Sequence, residues 1–595
     1  MMRTQSIVAV LCVFLMLAPV PGMAQSVAQH FTRPVGNLVG HFEWRAEQPA
    51  NLANSSRLEA LVRAGRIYLT LQDTIALALE NNLDIELQRY ALRSVDADLL
   101  RARAGGGTVP SFDPTATFNY NWGHITSPQT SSFTTGSSSL VNTTQAANFG
   151  LQQGFVTGTT VGFAWNNTMA RSNSGRSDFN PYTNAYFSLQ ATQHLLQGFG
   201  LALNNRLIRV AKNNLKVSDL AFRQQLITTV STVIGQYWDL VSFNEDVKVK
   251  QQALALAEKL QSDNQKQVEI GTLAPIEVVR AEAQVASSQQ DLTVSETRVL
   301  QQETILKNAL SRTGVASPSV AEAHIVCMDQ ILVPDVEPIQ PIQDLISSAF
   351  EERPELGQSK LQVENSQISL AGFRSALKPT LDLVGSLQNN GLAGQINTLP
   401  IPPVPGATGG TQVRSTTSID PFFLGGYGTV MSQLFARNFP NYSIGFQLNV
   451  PLRNRSAQAD MIQSQIALRQ QEIKQQQLVN QIRVDVTNAL IAVQQARAVY
   501  QAAVKTRELQ EQTLSAEEKK YALGASTVFL VVTSQRDLAL AGSIEVAARS
   551  SYTKAKVSLD QATGKILSAN GIQIEEAKSG KVARAPSPLP PPGQN

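Results

Sequence analysis

The sequence predicts a mixed fold: a transmembrane β-barrel of about four strands per chain, closed by oligomerisation and continued by a long α-helical coiled-coil barrel, built from two internal repeats. Three observations predict it. Residues 454–523 hold no proline and no glycine, and Ile482, Val486, Ala489, Val493, Ala496, Tyr500 and Ala503 recur there in steps of four and three. That is the 3.5-residue period of a coiled-coil seam. At 1.5 Å per residue such a rod is about 100 Å long, too long to hide in a compact domain. Other stretches alternate strictly, as half-buried strands do, and the whole order of segments occurs twice.

Residues 1–24 carry the three parts of an export signal: Arg3, an apolar run over 7–20, and small residues around Gly22-Met23-Ala24. Residues 25–67 read as an extended N-terminal arm. Cys12 lies within the apolar run, so Cys327 is the one cysteine expected in the mature chain, which excludes an internal disulfide framework. The signal would remove Arg3, one of 49 basic residues, leaving 48 against 46 acidic. A nearly neutral chain argues against a nucleic-acid partner. Charged residues make up 16% of the chain, low for so much coiled coil, which points to a solvent other than water for part of it.

The first repeat spans residues 68–314 and the second 342–564, with a proline-marked linker at 315–341 (Pro318, Pro334, Pro338, Pro341). Each opens with a helix, over 71–103 or 342–377, followed by Pro110 or Pro379 and then by alternating residues. Rods start near Asn204 and Asn454. Each breaks once, within 268–277 around Gly271 and within 521–530 around Gly524. Glycine can end a helix in the left-handed conformation, and Thr272, Ser526 and Thr527 can cap the next one. Return helices end at Gly314 and Gly564, making two helical hairpins. Pro586, Pro588 and Pro590–Pro592 mark residues 565–595 as a disordered tail.

In the strands, Ala116, Phe118, Tyr120 and Trp122 oppose Thr115, Thr117, Asn119 and Asn121. Tyr442, Ile444, Phe446, Leu448 and Val450 likewise oppose Ser443, Gly445, Gln447 and Asn449. Val161, Phe163 and Trp165 form a further stripe, as do Phe187, Leu189 and Ala191, with a weaker one at Leu381, Leu383 and Leu387. A soluble sandwich gives the same alternation as a barrel with lipid outside and a wet lumen. The export signal, and the lack of an obvious partner for these apolar faces, favour the barrel. Phe118, Tyr120, Trp122, Phe163, Trp165, Tyr442, Ile444, Phe446 and Leu448 are then the lipid-facing residues. The connections 127–145, 170–184 and 389–440 are long and polar, as external loops tend to be. Four to six strands cannot close a barrel, and lipid tolerates no open edge, so the chain must oligomerise. Two extra strand-like stretches, 148–153 and 161–167, either lengthen the barrel strands or form a separate hairpin.

From residue 69 to 564 the chain resembles the TolC-like outer membrane efflux and secretion channels of Gram-negative bacteria. The resemblance rests on the repeated helix–proline–strand openings, the strand exit Asn449-Val450-Pro451-Leu452-Arg453-Asn454-Arg455, and the paired glycine turns with Glu277 after the first. It implies a homotrimer with a twelve-stranded barrel in the cell outer membrane and a helical tunnel through the periplasm. The turns would form the periplasmic tip, where Gly271, Thr272, Leu273, Glu277, Gly524, Ala525 and Ser526 would contact a periplasmic adaptor (membrane fusion) protein joined to an inner-membrane pump. Some members carry aspartates after the second turn that ring the pore. Leu530 and Thr533 stand there instead, so no acidic ring is expected, although Glu277 keeps an acid in the first repeat.

Five scattered histidines offer no metal site, and Gly564-Lys565 lacks the upstream glycine of a phosphate loop. No cofactor and no catalysis are expected. The chain reads as a passive conduit for export, with energy supplied by a partner. The rival reading, an exported trimeric coiled-coil stalk or adhesin, would not duplicate a helix–strand–hairpin unit. The transported substrate is not legible.

Overall fold

Two rods dominate the computed structural model: α4 (Arg206–Glu269) and α9 (Arg455–Ala522), of 64 and 68 residues. The structure describes residues 49–588 apart from 107–110, 335–339, 403–411, 416 and 418. The expected signal at 1–24, most of the arm, Pro110, Pro338 and Pro590–Pro592 lie outside those residues. All elements belong to a unit beginning at Ala53. Along α9 the predicted seam is real: Ile482, Val486, Ala489, Val493 and Ala503 are buried. Each rod folds back into a helix of 36 residues, α5 (Pro275–Leu310) or α10 (Val528–Thr563). The hairpins pack through α4 and α10. A Cβ on Gly542 would lie 3.0 Å from Val249, so the backbones approach closely there. Ser231 donates to Gln561 at 2.7 Å, and Lys554 pairs with Asp239 at 2.7 Å.

The opening helix of each repeat is two helices, not the single one expected. In the first repeat α2 (Leu71–Asn81) and α3 (Leu83–Arg103) meet at Asn82, whose backbone is extended. The Asn82 Oδ1 accepts from the Asp84 and Ile85 N–H groups, a cap that starts α3. In the second, α6 (Ile342–Glu352) and α7 (Pro354–Ala376) meet at Arg353, held extended by the following proline. Both first segments have 11 residues, so the duplication extends to the break itself.

A hub of short elements joins the repeats. α1 (Ser56–Leu61) precedes β1 (Val62–Arg63) and β2 (Arg66–Leu69), and β2 pairs in parallel with β7 (His324–Cys327) from the linker. Leu61, Ile67, Leu69, Leu77, Leu306 and Tyr237 bury here. The Tyr237 hydroxyl donates to Asp329 at 2.9 Å. The tail departs from expectation: up to residue 588 it is folded, not disordered. α11 (Ile566–Ala569) and α12 (Ile574–Ser579) place Ile566, Leu567 and Ala577 in a core with Ile85 and Phe222. Two buried arginines hold the chain by its carbonyls. Arg57 donates to Val582 and Arg584, and Arg89 to Ala577. The tail's own donors are used as well: the Val582 N–H reaches Glu80, and the Ser587 N–H, between two prolines, reaches Asp73, both at 3.2 Å.

The remaining sheet has six strands, not about four. They are β3 (Thr115–Pro128), β4 (Ser139–Gly154), β5 (Thr159–Ser172), β6 (Phe179–His194), β8 (Thr380–Ile396) and β9 (Phe439–Asn449). The order is β3-β4-β5-β6-β8-β9, antiparallel throughout. The extra stretches are therefore a full additional hairpin in the same sheet. The 389–440 connection is also shorter than expected, because β8 runs to Ile396, and it contains a helix, α8 (Tyr427–Ala436).

Cys327 lies half-buried in the hub. Burial, then the charges of Asp329 and Glu303, push its thiol up to about 12. A thiol with a raised pKa stays protonated and unreactive. In the folded protein it should resist maleimide labelling from pH 7 to 9 and react at once in denaturant. Rapid labelling of the folded protein at pH 8 would show the hub to be open.

Candidate functional site

The sheet's register sorts its residues into two faces. One row runs Ala116, Leu151, Phe163, Leu189, Leu387, Tyr442 across all six strands. The next runs Phe118, Phe149, Trp165, Phe187, Asn389. Ile444, Phe446 and Leu448 continue the same face beside Gly385, Leu383 and Leu381. All nine residues assigned to lipid from the sequence therefore share one face, because strand pairing keeps the period-two alternation in phase. Phe163 and Trp165 each pack tilted against the Phe187 ring, both with centroids 6.0 Å away. On the opposite face the rows read Asn119, Asn148, Asn166, Tyr186, Asn390 and Thr115, Gln152, Gly162, Gln190, Ser386, Ser443. One face is apolar and the other is a carpet of amides and hydroxyls.

The two hairpin turns have the same construction. In the first, Gly271 has φ of 81°, its N–H donates to Val268, and the Thr272 N–H reaches back to Gln267. In the second, Gly524 has φ of 74°, its N–H donates to Tyr521, and the Ala525 N–H reaches back to Lys520. These are Schellman turns, which satisfy the last carbonyls of a helix and need the left-handed conformation that glycine takes freely. The expected hydroxyl caps are not made. Thr272 Oγ1 donates to the Gln267 carbonyl at 2.9 Å and Ser526 to Glu517 at 2.8 Å, while Thr527 caps with its backbone alone. Bonding from Lys520, then Ser526, holds the Glu517 carboxyl below the usual range.

The turns sit side by side, tied across the repeats. The Tyr521 hydroxyl donates to Asn264 at 2.8 Å and Gln267 at 3.2 Å on α4. Burial first, then the charges of Glu277 and Asp263, raises its phenol. Beneath it Leu260, Leu514, Val528 and Val531 form a core against which Leu273 packs. Of the residues assigned to the tip, Gly271, Thr272, Gly524 and Ala525 are exposed, whereas Leu273 points inward and Glu277 is half-buried and paired with Arg280 at 2.8 Å. Sequence reasoning missed the apolar surface beside them: Ile270 is 77% exposed and Leu523 84%. Ile276 and Phe529 are exposed as well. The available signal was an apolar residue directly before each turn glycine. Leu530 is exposed, and the Thr533 hydroxyl donates to the Phe529 carbonyl at 2.8 Å. Among the described residues no cluster of metal-ligating side chains occurs.

The family model of outer membrane efflux proteins matches residues 158–312 and 345–565. No curated protein matches the sequence. Among solved structures, the CmeC outer membrane channel of Campylobacter jejuni is similar at a TM-score of 0.55 and 14% identity, over 95% of this chain and 99% of that one. VceC, an outer membrane protein of Vibrio cholerae, gives 0.55 and 13% over 83% and 96%. The open-state MtrE outer membrane channel of Neisseria gonorrhoeae gives 0.50 and 16% over 84% and 89%. At these identities the likeness is one of fold.

A Cβ on either turn glycine meets nothing within 4 Å, so only the backbone conformation resists substitution there. Gly524→Val should cost about 1–2 kcal/mol locally. Amide exchange at residues 519–526 should then quicken about tenfold or more, while the global urea midpoint stays put. A shifted midpoint with unchanged tip exchange would contradict this account.

Proposed function

The chain belongs to the outer membrane efflux protein family, and we propose that this channel of the Gram-negative outer membrane is closed by three copies, each giving six strands to one barrel. The carrying observation is the six-stranded sheet with one apolar face and two unpaired edges, β3 and β9. First and sixth strands of an antiparallel sheet run in opposite senses, so β9 of one copy can pair antiparallel with β3 of the next. Three copies give eighteen strands, an even number as such barrels require. At about 4.8 Å between strands and a tilt near 40°, eighteen strands make a barrel about 36 Å across, against about 24 Å for twelve. The apolar face meets lipid and the amide carpet lines the lumen.

The paired turns form the periplasmic end of the tunnel. Ile270 and Leu523, with Gly271, Thr272, Gly524 and Ala525 between them, make an apolar docking surface for a periplasmic adaptor protein that links the channel to an inner-membrane pump. The chain itself supplies no energy. Docking shifts one hairpin against the other, breaking the Tyr521 bonds to Asn264 and Gln267, and the end opens.

Two measurements test this. The detergent-extracted particle should have the mass of three chains and form discrete pores in planar bilayers, wider than a twelve-stranded barrel allows. A pore-free particle, or a two-chain pore of twelve strands, would refute the eighteen-stranded closure. Replacing Ile270 and Leu523 together by Glu should abolish cellular export at least tenfold while leaving trimer mass and bilayer conductance unchanged. Unimpaired export in that variant would remove the tip from the docking surface.

A further inference from the structure

The connection between β8 and β9 differs from the loop it resembles in sequence position. The loop 173–178 carries Arg176 and Asp178 within six residues, whereas the connection 397–438 confines its charge to Arg414, Asp420 and Arg437, and Arg437 is the single charged residue over 421–452 in a chain that is 16% charged. About a third of that run is β9 itself, and about half is α8 with its approach.

α8 lies flat on the apolar face of the sheet. Its Val430 and Leu434 bury against Ala185 and Ala393, with Met431 and Phe187 alongside. Its inward polar group is satisfied by neighbours: the Gln433 Oε1 accepts from the Leu392 N–H at 2.9 Å, and its amide donates to the Phe422 carbonyl at 3.1 Å. Asn389 donates to the Leu434 carbonyl, closing the helix onto β8. The outward side consists of Gly428, Ser432, Phe435 and Ala436. Phe435 is 74% exposed even though its ring touches Phe187, and Tyr427 is 43% exposed. A helix at a water surface turns charged residues outward. This one turns none.

We propose that α8 is an interfacial helix whose outward side lies in membrane lipid, at the loop-side rim of the apolar band. Three observations select lipid as the occupant. The helix sits on the same face as the nine apolar residues, and the charge nearest to it in sequence is Arg437 at its C-terminal end, a long side chain that can reach a water boundary. It contacts residues 185–187 and 389–393, loop-ward of the rows that carry Leu387, Leu383 and Tyr442, which puts it at the band's edge where aromatic side chains favour the lipid boundary. It covers β6 and β8, which are inside the sheet, so a second copy joining at β3 or β9 does not seat on it. The inference rests on the reading that the apolar face meets lipid.

The test uses the full-length channel with Cys327→Ser and a single nitroxide-labelled cysteine at position 435, 442 or 523, reconstituted in vesicles of three parts phosphatidylcholine to one part phosphatidylglycerol. Accessibility is read against oxygen, which concentrates in lipid, and a nickel chelate, which stays in water. Labels from Phe435→Cys and Tyr442→Cys should both favour oxygen over nickel severalfold, and Leu523→Cys should do the reverse. Nickel access at 435 with protection at 442 would overturn the helix proposal and leave the lipid-facing sheet standing. Shielding of 435 from both reagents would mean that protein covers the helix, and would also overturn it. Nickel access at 442 would overturn the lipid reading of the whole face, and the helix proposal with it.

Discussion

Backbone groups on an open strand edge are the constraint from which the rest of the architecture follows. In lipid each unpaired N–H or C=O costs several kcal/mol, so a sheet with one greasy face cannot end at a free strand. Here β3 and β9 are both free in the single chain. On the proposed reading closure comes from other copies, and closure fixes where everything else hangs. The seam between the repeats, where β6 meets β8, is pinned at its rod-side end by His194 and Asp382, 2.6 Å apart. A few residues beyond the strands the rods begin, at Arg206 and Arg455. Strand register thereby sets helix position.

The two repeats agree in their helices and disagree in their strands, and parity explains why this is tolerated. The first repeat has four strands of the large sheet and the second has two. Adding an antiparallel hairpin keeps the count even, so the last strand still descends toward the rod and α4 starts on the side where α9 starts. One extra strand would have sent the rod out of the opposite end of the sheet. The helices have no such freedom, since α4 must meet α10 along its length, with Gly542 seated against Val249. The strand count is free to vary in twos while the rods are not.

Much of this was legible in the sequence because periodicity is a global property. The seam from Ile482 to Ala503, the glycine turns and the two-fold order each depend on spacing, and the structure and the family match agree with them. What was illegible depends on single contacts or on weak alternation. Of β4 only the stretch 148–153 showed as strand-like, because before it Asn142, Thr144 and Ala146 on one side face Gln145 and Ala147 on the other, so polarity barely alternates. Asn82 breaks a helix that its neighbours favour, and only its side-chain bond to the next turn reveals why. The tail looked disordered from its prolines. Arg57 and Arg89, hundreds of residues away, supply the donors that order it.

The tips show how a backbone can be fully satisfied while its side chains are left wanting. Both Schellman turns close their helix carbonyls internally, so nothing in the main chain calls for a partner. Ile270 and Leu523 project from these closed turns into solvent, equivalent residues in equivalent places. Exposed apolar groups on a rigid frame lose little order when covered, which suits them to docking. The ties between hairpins at this end are slight by comparison with the packing inside each one: a Tyr521 hydroxyl and a small leucine–valine core. A force applied at the tips therefore parts hairpin from hairpin before it unfolds either. On the proposed reading, that ordering of weak and strong contacts is what lets a passive conduit open at one end while its barrel at the other end stays shut to lipid.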